Sequence, residues 1–203
     1  QQIAKLREIL PDVPVLALTA TATAFVRQDI VEKLEMKDPQ IFVKSFARDN
    51  LSYVVFNKED KYKKLIEICN NVKGTGLVYV RNRRETAEVA NFLIRNQIKA
   101  DFYHAGLERD SRFKKQEDWK QNKTRIMVAT NAFGMGIDKA DVRFVVHLDL
   151  PESLEAYYQE AGRAGRDEKK SYAVLLANQA DVEGLESRYV DSFPSPDEIR
   201  KIY

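Results

Sequence analysis

The 203-residue sequence holds one cysteine, Cys69, and two histidines, His104 and His147. A lone thiol excludes a disulfide framework and any zinc site built wholly from cysteines. The two histidines are far apart and show no HxxxH spacing, so no metal site is expected. A surplus of one charge is missing too: 33 basic residues nearly balance 31 acidic ones, for a net charge of +2. Any site for an anionic partner must then be local. No apolar run approaches the roughly 18 residues that a membrane-crossing helix needs. The opening QQIAKLREIL is polar and amphipathic and lacks a leader pattern, so a soluble, cytoplasmic location is the default expectation. A start at Gln rather than Met suggests a piece cut from a longer chain. Internal repeats and low-complexity tracts are also lacking.

Hydrophobic residues make up 44% of the chain, enough for a real core. Strand-like runs fall at 15–20 (VLALTA), 41–46, 52–57, 76–80 (GLVYV), 99–104, 125–130 (RIMVAT), 143–149 and 171–178. Helical patterns lie between them, near 24–37, 60–72, 83–96, 109–121 and 153–164. Strands alternating with helices predict an α/β fold, a parallel sheet with helices on both faces. GLVYV and RIMVAT are almost wholly apolar, as central parallel strands are. The polar stretch ARDN at 47–50 marks a boundary near Arg48, and the material before it is too small to bury a core alone.

The string YYQEAGRAGRD at 157–167 places two glycines inside a helical pattern. Glycine costs a helix interior about 1 kcal/mol relative to alanine, so the pair needs a reason. Taken as one helix over 153–166, the segment packs Leu154, Tyr157, Tyr158 and Ala161 on the sheet. Gln159, Gly162, Arg163 and Arg166 then share another face. Arginine suits a surface that meets phosphate, because its fork of donors keeps its charge when partly desolvated. An RxxR by itself reads as an ordinary solvated face.

The wider wording settles more. YYQEAGRAGRD resembles motif VI of superfamily 2 helicases in the form used by the RecQ family of DNA helicases. VATNAFGMGIDKADVRFVVHLDLP (128–151) resembles motif V of that family and its continuation. LALTATAT (16–23) resembles the motif III region, GLVYVRNRRETAEVANFL (76–93) motif IV, and YHAGL (103–107) a further family signature. The match runs over about 15–178, in the family's order.

The resemblance implies the following. Residues 1–48 are the end of a first RecA-like lobe and a linker. Residues 49–178 are the second lobe, the helicase C-terminal domain, and 179–203 begin a C-terminal extension. The activity is ATP-dependent 3′–5′ DNA unwinding. Arg166 is the arginine finger, Arg163 lies beside it on phosphate or on a first-lobe carboxylate, and Gln159 couples the lobes. Gly136 and Asp138 lie near the nucleotide. Asn82, Arg83, His104 and Thr130 face the DNA backbone. Here the chain reads Arg81-Asn82-Arg83 where the family often has Asn-Ser-Arg, so Arg83 maps cleanly and the serine has no counterpart. His104 fits a phosphate donor and a loop carbonyl partner equally well, Trp119 reads as packing, and Thr23 as a helix cap.

What is absent again limits function. No GxxxxGK[ST] occurs, and neither Asp-Glu pair, 167–168 or 197–198, ends a strand. ATP and Mg²⁺ are therefore expected to be held mainly by the rest of the first lobe, and the chain alone is expected to lack ATPase activity. The expected partners are that lobe and single-stranded or forked DNA, with no membrane. The alternative is a non-catalytic module that grips nucleic acid or a protein partner.

Overall fold

The structure, a computed structural model, describes residues 5, 9–10, 12–19, 22–43, 45, 47–134, 137–189 and 200. The chain divides into two compact units, Gln1–Arg48 and Asp49–Tyr203.

In the first unit, helix α1 runs Ala24–Lys33, and the Thr23 hydroxyl caps it by accepting from Val26 N–H at 3.3 Å. It stops short of the expected residue 37 because Glu35 turns to φ 50°. The strands expected at 15–20 and 41–46 do not form among the described residues: Val15–Thr19 and Ile41–Val43 carry no ladder. An apolar run becomes a strand only when a neighbour takes its backbone bonds, and no described segment of this unit does. Leu16, Leu18 and Phe42 are 81%, 84% and 90% exposed. Together with Ile30 and Val31 of α1, these segments line an open concavity of about 390 Å³.

The second unit begins with strand β1 (Leu51–Asn57), helix α2 (Lys61–Asn71), strand β2 (Thr75–Tyr79) and helix α3 (Arg83–Arg95). Strand β3 (Ala100–Tyr103), helix α4 (Arg109–Lys120) and strand β4 (Ile126–Ala129) follow. Strand β5 (Val142–His147), helix α5 (Leu154–Ala161), strand β6 (Ser171–Ala177) and helix α6 (Gln179–Tyr189) complete the described elements. The six strands form one sheet in the order β1-β6-β5-β2-β4-β3. Every ladder is parallel.

Alternation along β2 sorts the core. Val78 and Val80 meet Leu65 and Cys69 of α2 and Val89 and Leu93 of α3 on one face. Leu77 and Tyr79 meet Trp119 of α4 and Ala161 of α5 on the other. Helices thus cover both faces, as a right-handed crossover requires when the chain moves first one way along the sheet and then the other. Trp119 is 1% exposed and donates its indole N–H to Gly76 O at 3.3 Å, a packing role.

The segment 153–166 is not one helix. α5 ends at Ala161, Gly162 caps it, and a turn follows in which Gly165 takes φ 64°. Arg166 therefore leaves from a loop, so Gln159, Arg163 and Arg166 do not share a helical face. Nor do the expected packing residues all pack: Ala161 is fully buried, but Leu154 is 72% and Tyr158 44% exposed. The glycines end the helix rather than thin one of its sides.

Candidate nucleotide and nucleic-acid interface

The connections from β2 and β5 leave in opposite directions, so the carboxyl ends of these adjacent strands form the topological switch point of the sheet. A crevice of about 70 Å³ opens there, lined in part by Arg81, Asn131, His147, Asp149, Glu152 and Glu160. Residues expected to face DNA gather along the same edge. Asn82 and Arg83 follow β2, His104 follows β3, and Thr130 follows β4.

Asn82 is the N-cap of α3. Its Oδ1 accepts from Glu85 N–H at 2.8 Å, and its Nδ2 donates to Glu85 Oε2 at 3.1 Å. The side chain is thus engaged within its own helix start. Arg83 is exposed, and its guanidinium lies over Gly106: a Cβ built there would stand 2.9 Å from an Arg83 nitrogen and 3.3 Å from His104 Nδ1. A side chain at 106 would push the Arg83 guanidinium aside. His104 stacks on Phe102 with ring centroids 6.0 Å apart, and its Nδ1 is buried without a partner. Burial, with Arg83 and Lys115 nearby, holds its pKa below the ordinary histidine value. Thr130 is buried, and its amide donates to Tyr103 O at 3.4 Å.

A second group forms around the turn after α5. Gly165 N–H donates to Val142 O at 2.8 Å and Asp167 N–H to Ala140 O at 3.2 Å, tying the turn to the amino end of β5. Arg166 donates to Asp138 Oδ1 at 2.6 Å; its side chain is 38% exposed and that of Asp138 85%. Arg163 turns inward instead and donates to Gly134 O at 2.7 Å, with its Nε buried and unpartnered. The motif V and motif VI segments are thereby clasped together. Gln159 is exposed on the last turn of α5. Gly136 lies outside the described residues.

The structure thus brings Arg163, Arg166 and Asp138 together, and separately Arg83, His104 and Thr130. The chain links the two groups directly: it leaves β4 after Ala129, passes Thr130 and Asp138, and enters β5 at Val142.

Supporting residues escaped the sequence reading. Arg143 donates to the carbonyls of Asp141, Ala140 and Lys170 and pairs with Asp167, whose pKa this contact lowers. Lys139 is 9% exposed; its ammonium donates to Lys120 O at 3.0 Å and Asn122 Oδ1 at 2.8 Å. Tyr79 donates to Phe133 O at 3.0 Å, and burial drives its phenol pKa up. None has a local spacing signal, because each has a partner 17 or more residues away: Asp167 for Arg143, Lys120 and Asn122 for Lys139, and Phe133 for Tyr79. Burial also pushes the Cys69 thiol up to about 12, which leaves it inert.

A parallel sheet with helices on both faces, motif-bearing loops along its carboxyl edge and arginines after α5 define the second RecA-like lobe of a helicase. Residues 60–168 match the helicase conserved C-terminal domain, and the chain belongs to that family. Its sequence matches the RecQ type of that lobe. It is 40% identical over 199 residues to the ATP-dependent DNA helicase RecQ of Pasteurella multocida, covering 96% of this chain and 31% of that protein. It is 44% identical over 182 residues to the ATP-dependent helicase SGS1 of Saccharomyces cerevisiae, covering 87% of this chain and 12% of that protein. The chain thus spans about a third or less of the length of these relatives. The fold is shared with the solved C-terminal domain of the DEAD-box protein Dbp5, with a TM-score of 0.56 at 22% identity over 77% of this chain and 96% of that one.

Proposed function

We propose that the chain serves as the second motor lobe of an ATP-dependent 3′–5′ DNA helicase and supplies the arginine finger. The observation that carries this is Arg166: a guanidinium on a glycine-shaped turn, 38% exposed and held at the surface by one carboxylate, Asp138. An exposed ion pair of this kind is worth at most about 1 kcal/mol, so the guanidinium is available to an incoming phosphate. That chemistry fits the terminal phosphates of ATP, where a positioned arginine stabilises the charge of the transferring group and contributes roughly 10³–10⁵ in rate in well-studied systems.

Each residue has a part in this reading. Arg166 contacts phosphate. Asp138 orients it and lies near the nucleotide with Gly136. Arg163 holds the motif V segment to the turn through Gly134 O. Gln159, exposed on the last helical turn, couples the lobe to its neighbour. Arg83, His104 and Thr130 follow the backbone of one DNA strand, and Asn82 fixes the helix start from which Arg83 projects. Mg²⁺ and most of the nucleotide are assigned to the first lobe, so the chain alone does not turn over ATP. The compartment assigned is the cytoplasm.

The test is Arg166→Ala in the protein expressed from the complete reading frame. ATP turnover should fall by roughly 10³ or more, while binding of a fluorescent nucleotide is retained. Turnover near the wild-type rate would remove Arg166 from the finger role.

A further inference from the structure

We infer that His147 and Glu160 form a positioning strut that sets the placement of the arginine-bearing turn. The inference rests on the motor reading above. Helix α5 has eight residues and buries one of them, Ala161. Of its large apolar side chains, Tyr157 packs half-buried against the core, while Leu154 is 72% and Tyr158 44% exposed. Apolar packing therefore holds this helix through Tyr157 and Ala161 only. A polar contact adds to it. His147, the last residue of β5 and 1% exposed, meets Glu160 Oε2 through Nε2 at 2.8 Å. A carboxylate only accepts, so Nε2 carries a proton and donates it to Glu160. Nδ1 is buried without a partner, so the ring is committed to Glu160 alone.

The ring itself is clamped. It stacks on Tyr79 with centroids 5.3 Å apart and planes 20° apart, and it meets Tyr157 of α5 at 5.0 Å. Tyr79 is in turn fixed to Phe133 O. The strut thus joins the rigid centre of the sheet to the last turn of α5. From Glu160 the path to the arginines is short. Glu160 O accepts from Arg163 N–H at 3.2 Å, and Arg163 reaches Gly134 O. Three residues later Arg166 leaves the turn toward Asp138. A shift of Glu160 is carried into both guanidiniums, and misplacement of a catalytic group by about 1 Å costs up to 10²-fold in rate.

The strut is a positioning device, separable from a merely structural one by which kinetic constant it moves. In the protein from the complete reading frame, His147→Leu should lower the DNA-stimulated kcat for ATP by about ten- to hundredfold. The KM for ATP should stay within about twofold. His147→Gln, which can still donate to Glu160, should recover most of the lost kcat, and the double variant His147→Leu/Glu160→Leu should be no worse than His147→Leu alone. The inference is overturned if kcat of His147→Leu stays within about twofold of wild type. It is equally overturned if Gln fails to rescue a soluble, cooperatively melting protein, or if the two single losses simply multiply. Arg166→Ala measured alongside keeps the two ideas apart. If that variant turns over normally, the motor reading has failed. If it is silent while His147→Leu is unchanged, only the strut has failed.

Discussion

Gly165 gives the sharpest test of how the arginine turn is built. It holds φ 64° between α5 and β6, a region that costs an L-residue about 1–2 kcal/mol. Space is short as well: a Cβ there would stand 2.6 Å from Asn50 Nδ2, 2.7 Å from Ser171 Oγ and 2.9 Å from Ser171 Cβ. Those atoms are engaged. Asn50 Nδ2 donates to Gly165 O at 2.7 Å and to Lys169 O at 2.9 Å, and Ser171 Oγ donates to Lys169 O at 2.9 Å. Displacing them forfeits one or two hydrogen bonds at about 1 kcal/mol each. Gly165→Ala should therefore destabilise the second unit by about 2–4 kcal/mol, which lowers the melting midpoint by about 6–12 °C for a unit of roughly 150 residues. Gly184, inside α6, is the internal contrast, because an added Cβ meets nothing within 4 Å. Gly184→Ala should stabilise by about 0.5–1 kcal/mol through helix propensity alone. Differential scanning calorimetry on the chain reads both. A midpoint for Gly165→Ala within about 2 °C of wild type would refute the argument, as would equal shifts for the two variants.

Two further outcomes are expected. Glu85 has its pKa pushed up to about 7, by burial first and then by Asp149, from a model-compound value of 4.5. A raised folded value means that the folded state holds the proton more tightly, so this contribution is complete below about pH 4.5 and is lost as pH climbs through about 7. Melting midpoints should fall more steeply between about pH 5 and 8 for wild type than for Glu85→Gln; superimposable profiles would show that Glu85 is not the titrating group. Arg83→Ala should weaken binding to single-stranded DNA and shallow the plot of log affinity against log salt by about 0.7. An unchanged slope would take Arg83 off the DNA backbone.

The strand and helix order of the second unit was legible up to β6, while helix α6 was not read from the sequence. The central strands β2 and β4 follow almost wholly apolar runs because they are buried on both faces, whereas the edge strand β1 alternates in burial. The helices between them show their amphipathic spacing just as openly. The same rule misled at Val15–Thr19 and Ile41–Val43, where apolar runs form no described ladder: a strand is a property of a pair, and the run encodes only half of it. The reading also carried α5 through two glycines to residue 166. Helical periodicity was extrapolated there past residues whose backbone freedom ends the helix at Ala161 and frees the turn.

By itself, then, the order of residues determined the layered α/β class, the family wording and the identity of the arginines, since these depend on composition and spacing along one chain. Only tertiary structure decided what those arginines touch. Arg163 turns in to Gly134, Arg166 turns out to Asp138, and His147 reaches across to Glu160. These partners are 29, 28 and 13 residues away in sequence. Contacts at that separation exist only once the sheet has brought the ends of β4 and β5 beside α5.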